Sequence, residues 1–190
     1  MRLIGTVTPD LPLLVVAVEE ESAHLGGRFP VLLTGMGKIN ATAALATVLA
    51  RGDRPSEIVN LGTAGALRSG WAGTHQVSRV LQHDLDSRVL NLLTGRTFGG
   101  PIELGPEQGP VLATGDLFVS DPEARDRLAQ SADLVDMEGY ALAIVAQRAG
   151  VPIRLVKHVS DEAGEGAART WRESVDGCAK ILADWVHTRL

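Results

Sequence analysis

Short apolar runs of strand length alternate along the chain with longer stretches of helical spacing. Residues 13–18 are apolar throughout and read as a strand buried on both faces. A second run at 30–34 leads into Gly35-Met36-Gly37. Over 38–50, Ile39, Ala43, Leu45, Ala46 and Leu49 then recur at helical spacing. Residues 57–61 read as the next strand, closed by a Gly62-Thr63-Ala64-Gly65 turn, with further strands at 76–81 and 111–114. Asp121-Pro122 marks a helix start, a capping carboxylate followed by proline in the first turn, for a helix to about residue 130. A brief strand at 134–136 precedes a helix over 139–149 that Gly150 stops. A strand over 152–159 and a final helix over 169–188 complete the pattern, with Trp171, Val175, Cys178, Leu182 and Trp185 on one helix face. Residues 87–110, rich in Gly and Pro, read as an irregular loop. Such alternation predicts an α/β layered fold.

The length of 190 residues suits one domain spanning 1–190, with no internal repeat or linker. With 45% hydrophobic and 22% charged residues, disorder is excluded. The mean hydropathy of +0.10 is slightly high and leaves apolar surface for a partner subunit. A net charge of −5 without a Lys/Arg cluster argues against nucleic acid as a partner. Cys178 stands alone, so no internal disulfide forms. The apolar run at 11–18 contains Pro12 and ends in three glutamates, which rules it out as a membrane span. Thr8, Pro9 and Asp10 interrupt the N-terminal region, against a signal peptide, and a cytoplasmic location is expected.

In open α/β sheets, ligands bind beyond the carboxyl ends of the strands. Three predicted strand ends carry acids there: Glu19-Glu20-Glu21, Met137-Glu138 and Ser160-Asp161. Carboxylates sharing one cleft suit glycosidic hydrolysis, in which one acid protonates the leaving group and one base activates water. Acids at these junctions also serve as helix caps, and any one of the three fits that plainer description.

Seven stretches occur in one order: "VAVEEES" (16–22), "TGMGKINATAAL" (34–45), "VNLGTAGAL" (59–67), "HDLD" (83–86), "ATGDLFVSD" (113–121), "VDMEGYALA" (135–143) and "VKHVSDEAG" (156–164). Together they resemble the nucleoside phosphorylase/nucleosidase superfamily, most of all its methylthioadenosine/S-adenosylhomocysteine nucleosidases. The resemblance implies a three-layer α/β/α fold with a central mixed twisted sheet. It implies hydrolysis of the N-glycosidic bond of an adenosine-type nucleoside, without cofactor or metal, by a chain that pairs as a homodimer. It assigns Glu21 to activating the attacking water and Asp161 to protonating N7 of the departing purine. Glu138 would accept hydrogen bonds from the ribose 2′- and 3′-hydroxyls, with Met137 under the sugar. Phe118 would stack on the purine, and the backbone of Val119 would read the base edge. Ser160 and Thr63 would flank the acid and the water. Trp171 falls where the family has an aromatic lining the pocket for the 5′ substituent, and it equally suits core packing at the start of the last helix.

The chain also departs from the family pattern. A short link replaces a β-hairpin between Glu21 and Val31, Val18 stands in place of a methionine, and Gly139-Tyr140 replaces a smaller pair. These changes predict a more open 5′ pocket and leave futalosine, adenosine and other purine nucleosides as candidate substrates. Phosphorylases of the family place an arginine before the Gly-rich segment after the third strand, where this chain has Val59-Asn60-Leu61. Three acids at the first strand end would also repel phosphate. Hydrolysis is therefore favoured, with a phosphate-dependent phosphorylase and a catalytically weak nucleoside-binding homologue as alternatives. His83, Asp84 and Asp86 are metal-ligand types, but the family carries a similar strand end without a catalytic metal. Gly35-Met36-Gly37-Lys38 lacks the spacing of a P-loop, and His158 reads as a structural residue.

Overall fold

The computed structural model describes residues 1–52, 54–105 and 107–190. Its elements, in order, are β1 (Arg2–Ile4), β2 (Leu13–Val16), α1 (Glu19–Ser22), β3 (Val31–Leu33), α2 (Lys38–Leu49), β4 (Ile58–Ala66), β5 (Thr74–Gln76) and β6 (Arg79–Gln82). There follow α3 (Ser87–Thr94), β7 (Ile102–Glu103), β8 (Val111–Thr114), α4 (Pro122–Leu128), β9 (Leu134–Asp136), α5 (Gly139–Ala149), β10 (Ile153–Asp161) and α6 (Ala167–Arg189). The ten strands form one mixed sheet in the order β1-β3-β2-β4-β9-β8-β6-β7, with β10 along the other side of β4 and β5 beside β10.

The unbroken apolar run of β2 follows from burial on both faces. Leu13 and Val15 pack with Leu45 and Val48 of α2 and with Leu142 of α5. Leu14 and Val16 pack on the opposite face with Leu182, Ala183 and Val186 of α6. Helices thus cover both faces of the sheet, and the expected three-layer architecture stands. The local signals act as they read in the sequence. The Asp121 carboxylate accepts the Ala124 N–H at the start of α4, and Gly150 ends α5 at φ 66°.

Three expectations need correction, and β1 is a strand that the sequence pattern did not predict. Gly62-Thr63-Ala64-Gly65 is not a turn, because β4 runs straight through it. Residues 76–81 are not one strand: β5 ends at Gln76 and pairs with β10, and β6 begins at Arg79 and pairs with β7 and β8. The stretch 87–110 is not a plain loop: it contains α3, capped by Asp86 and ended by Gly95 at φ 67°, and then β7. Pro106, within that stretch, lies outside the described residues. Finally, the sheet edge beside β3, which the short 22–30 link leaves without a hairpin, is filled by β1 running antiparallel to β3.

Candidate active site

The strand order creates a fork, and the three acids meet in it. β2 runs parallel to β4 as far as Val15 opposite Asn60, while β9 runs antiparallel with Val135 opposite Gly65. Their carboxyl ends therefore point at each other across residues 61–64 of β4, and a cleft of about 90 Å³ opens between them. On the far side, β10 places Lys157 beside Gly62 and Asp161 beside Gly65. Both glycines provide clearance. A Cβ on Gly62 would lie 3.2 Å from Lys157 Nζ and 3.3 Å from Glu21 Oε1. One on Gly65 would lie 3.0 Å from Ala163 Cβ and 3.1 Å from Asp161 Oδ1.

Each acid is oriented by backbone amides. Glu21, in the first turn of α1, turns its carboxylate back so that Oε2 accepts the Ala17 N–H at 3.0 Å and Oε1 accepts the Thr63 N–H at 3.1 Å. Glu138 sits at the start of α5 but caps a different helix: its Oε1 accepts the N–H of Gly37, just before α2, at 2.8 Å. The neighbouring Lys38 N–H is taken by Asp116. A register shift between Val159 and Asp161 re-aims the end of β10. Asp161 then accepts the Ser160 hydroxyl on Oδ2 and the Ala163 N–H on Oδ1, both at 2.8 Å, with Ala163 in the left-handed region at φ 47°. Capping and convergence on one cleft are thus properties of the same side chains.

Eight of the nine residues singled out in the sequence line this cleft: Glu21, Thr63, Phe118, Met137, Glu138, Ser160, Asp161 and Trp171. Val119 does not. Its side chain is buried with Ala113, Val135 and Ala163 beneath the 115–120 loop, and it faces a neighbouring cavity of about 410 Å³ that shares Phe118 with the cleft. Among the described residues its backbone N–H and C=O have no hydrogen-bond partner. The acids of the 83–86 segment lie elsewhere. Asp84 pairs with Lys38 and Asp86 caps α3, while His158 bonds Thr74.

Sequence reasoning missed Lys157 and Asp136. In the sequence they stand as ordinary polar positions, Lys157 among the other polar residues of β10 and Asp136 at the end of β9, and it is their burial that requires each to have a partner. The two side chains are each 1% exposed and form an ion pair with Nζ–Oδ2 of 2.8 Å. Asp136 is further held by the Thr114 hydroxyl and the Gly139 N–H.

This pair sets the electrostatics of the cleft. Burial opposes the Lys157 charge, but Asp136, Glu138 and Glu21 together hold its pKa above the ordinary lysine value. Burial, and then the Asp136 charge, push the Glu138 carboxyl up to about 8, against the opposing effects of Lys157 and the Gly37 N–H. The folded protein therefore keeps a proton on Glu138 that the unfolded chain, with an ordinary value of 4.5, has released. The resulting stabilisation is complete below that unfolded value and is lost as pH rises through about 8. Denaturant titrations between about pH 5 and about pH 9 should show stability falling across this window, with the fall reduced in Glu138→Gln. An unchanged slope in the variant would remove Glu138 as its source.

The Phosphorylase superfamily model matches residues 85–186, more than half of the chain. The 5′-methylthioadenosine/S-adenosylhomocysteine nucleosidase of Geobacillus sp. (strain WCH70) is 28% identical, over 98% of this chain and 95% of its own length. Similar solved structures include the Helicobacter pylori 5′-methylthioadenosine/S-adenosylhomocysteine nucleosidase with butyl-thio-DADMe-Immucillin-A. It has a TM-score of 0.80 and 22% identity, covering 94% of this chain and 97% of that one. The native futalosine hydrolase of Helicobacter pylori has a TM-score of 0.81 and 21% identity, covering 94% and 96%. The two structures share the fold, and the match over α3 to α6 supplies the family: this chain belongs to the phosphorylase superfamily.

Proposed function

We propose that the protein is a purine-nucleoside N-ribosyl hydrolase that cleaves an adenosine-type nucleoside to free base and ribosyl product. The observation that carries this is the convergence of Glu21, Glu138 and Asp161 on one cleft, beside which the buried Lys157 is already paired with Asp136. Water held by Glu21 gives it a proton and attacks C1′. The C1′–N9 bond breaks, its electron pair passes to the purine, and Asp161 delivers a proton to N7. Glu138 bonds the ribose hydroxyls, and those bonds strengthen as positive charge develops on the sugar in the transition state. Met137 supports the sugar, and Phe118 stacks on the base. The unpaired backbone groups of Val119 read the base edge, and Ser160 orients the acid.

Phosphorolysis fits less well. Phosphate needs free cations, and four acids (Glu21, Asp136, Glu138 and Asp161) line a cleft beside one committed lysine. Within Val59-Asn60-Leu61, where the family's arginine would fall, the one polar side chain is that of Asn60, which donates to the Val15 carbonyl. The proton transfers use this chain's own carboxyls, so the proposed reaction draws on no cofactor or metal.

The cleft of about 90 Å³ is smaller than the ~300–1,000 Å³ common for ligand sites. Phe118, 46% exposed, lines both this cleft and the 410 Å³ cavity that Val119 lines, and the proposed base site extends across the two. Val18, Met36 and Trp171 give the cleft an apolar side for a 5′ substituent. β1 brings Met1 and Arg2 beside Ala17 and Val18, at a point the absent hairpin would otherwise leave bare.

The homodimer is part of the same proposal. Ile39 of α2 and Leu92 and Leu93 of α3 are 75–79% exposed. Ile39 and Tyr140 line an open groove of about 740 Å³ that floors on α5. Met36, 45% exposed, lies between this face and the cleft, so a second copy seated here would border the site. The buried free thiol of Cys178 fits a reducing compartment, in support of a cytoplasmic location. Among the described residues, no helix is long and apolar enough to cross a membrane.

The direct test is base release from methylthioadenosine, S-adenosylhomocysteine, adenosine, inosine and futalosine, each with and without phosphate. Release of adenine from an adenosine-type member at the same rate in both buffers is expected. Release only with phosphate would make the protein a phosphorylase, and no release from any member would favour a nucleoside-binding homologue. For the dimer, sedimentation should give the mass of two chains for the wild type and of one chain for Ile39→Glu/Leu92→Glu. A wild-type monomer at micromolar concentration would sink the dimer proposal.

A further inference from the structure

We propose that Trp171 is a positioning residue for hydrolysis, acting through its indole N–H on Thr63 and through Thr63 on Glu21. The proposal rests on the assignment of Glu21 to the attacking water. Trp171 lies near the start of α6 and lines the cleft, as any aromatic there would. What sets it apart is the direction of its one polar group. Nε1–H donates to Thr63 Oγ1 at 2.8 Å, joining α6 to the fork in β4.

The consequence follows from donor and acceptor counting. An indole only donates, whereas a hydroxyl has one proton and two lone pairs. With the indole on a lone pair of Oγ1, the Thr63 proton must go to another acceptor, and Glu21 Oε1 lies 3.4 Å away. The same oxygen already takes the Thr63 N–H at 3.1 Å. Thr63 therefore presents two donors to one carboxylate oxygen, while Ala17 and Val18 N–H groups hold the other. A contact of 3.4 Å is long for a hydroxyl bond and is easily lost if Oγ1 rotates. The indole prevents that rotation. A phenylalanine would fill the same space and leave the hydroxyl unfixed.

Because α6 packs against β2, β4 and β10 through Leu182, Ala183 and Val186, the link also ties the seating of that helix to the orientation of Glu21. Trp171 thus acts on the water through two other groups rather than by touching it.

The test is a double-mutant cycle with Trp171→Phe and Thr63→Val, with Thr63→Ser as the conservative control, assayed on methylthioadenosine. Trp171→Phe should lower kcat about tenfold with KM within about twofold, the worth of one neutral hydrogen bond felt in the transition state. Thr63→Val should lose a similar factor, the double variant no more than either single one, and Thr63→Ser, which restores the hydroxyl, should recover most of the kcat lost in Thr63→Val. An unchanged kcat in Trp171→Phe, a loss confined to KM, or losses that multiply in the double variant would overturn the proposal and leave Trp171 as lining only. If the wild type hydrolyses no nucleoside, the functional reading itself fails, and the link is then decided by NMR. The indole N–H resonance that disappears in Trp171→Phe should shift in Thr63→Val and in Glu21→Ala. A resonance unmoved by either change would overturn the link.

Discussion

The site depends on a lysine and an aspartate that water does not reach. Lys157 and Asp136 are each 1% exposed, and neither charge is tolerable there without the other. Removing one partner of such a pair typically costs ~3–5 kcal/mol, because the remaining charge stays buried and unpaired. The pair also organises its surroundings. Asp136 fixes the first amide of α5 and the Thr114 hydroxyl of β8. Lys157 passes over Gly62 toward Glu21. One cation allows several acids to share a space of low dielectric, and those acids in turn hold the proton on the lysine. Among the described residues, none that lines the cleft is a lysine or an arginine, and Lys157 beside it is committed to Asp136.

Topology brings these groups together. A central strand that pairs with β2 over its first half and with β9 at its far end has a break on that edge, and both partners discharge their carboxyl ends into it. The acids that arrive there do structural work on the amides of residues 17, 37, 63 and 163. Stability and the proposed chemistry therefore use the same side chains. Glu138 shows the tension most clearly: it caps α2 and is pushed toward the protonated form by its burial and by Asp136. A cationic sugar would relieve that strain.

Much of this was legible in the sequence. The apolar run of β2, the Asp121-Pro122 start and the Gly150 stop each have one physical cause acting locally, and they appear where the pattern puts them. The ordered motifs contain seven of the eight cleft residues, Trp171 of α6 being the exception, because most of those motifs lie at or just beyond strand ends. The misses have physical causes too. Gly62 and Gly65 carry the signature of a turn, but their purpose is clearance for side chains arriving from β10 and α1, which lie far away in sequence. The partners of β5 and β6 are likewise a matter of tertiary pairing that local periodicity does not encode. α3 buries none of its residues, so the glycines and prolines around it dominated the pattern. Lys157 and Asp136 looked like ordinary polar positions because a charge is informative only when its burial is known.

The origin of the oxygen at C1′ separates water activation at Glu21 from every other use of this cleft. Turnover of methylthioadenosine in water enriched in heavy oxygen, without and with phosphate, should yield a ribosyl product bearing one labelled oxygen at C1′ in both cases. A ribosyl phosphate, or a product whose C1′ oxygen carries no label beyond that from exchange in a control sugar, would contradict hydrolysis at this site.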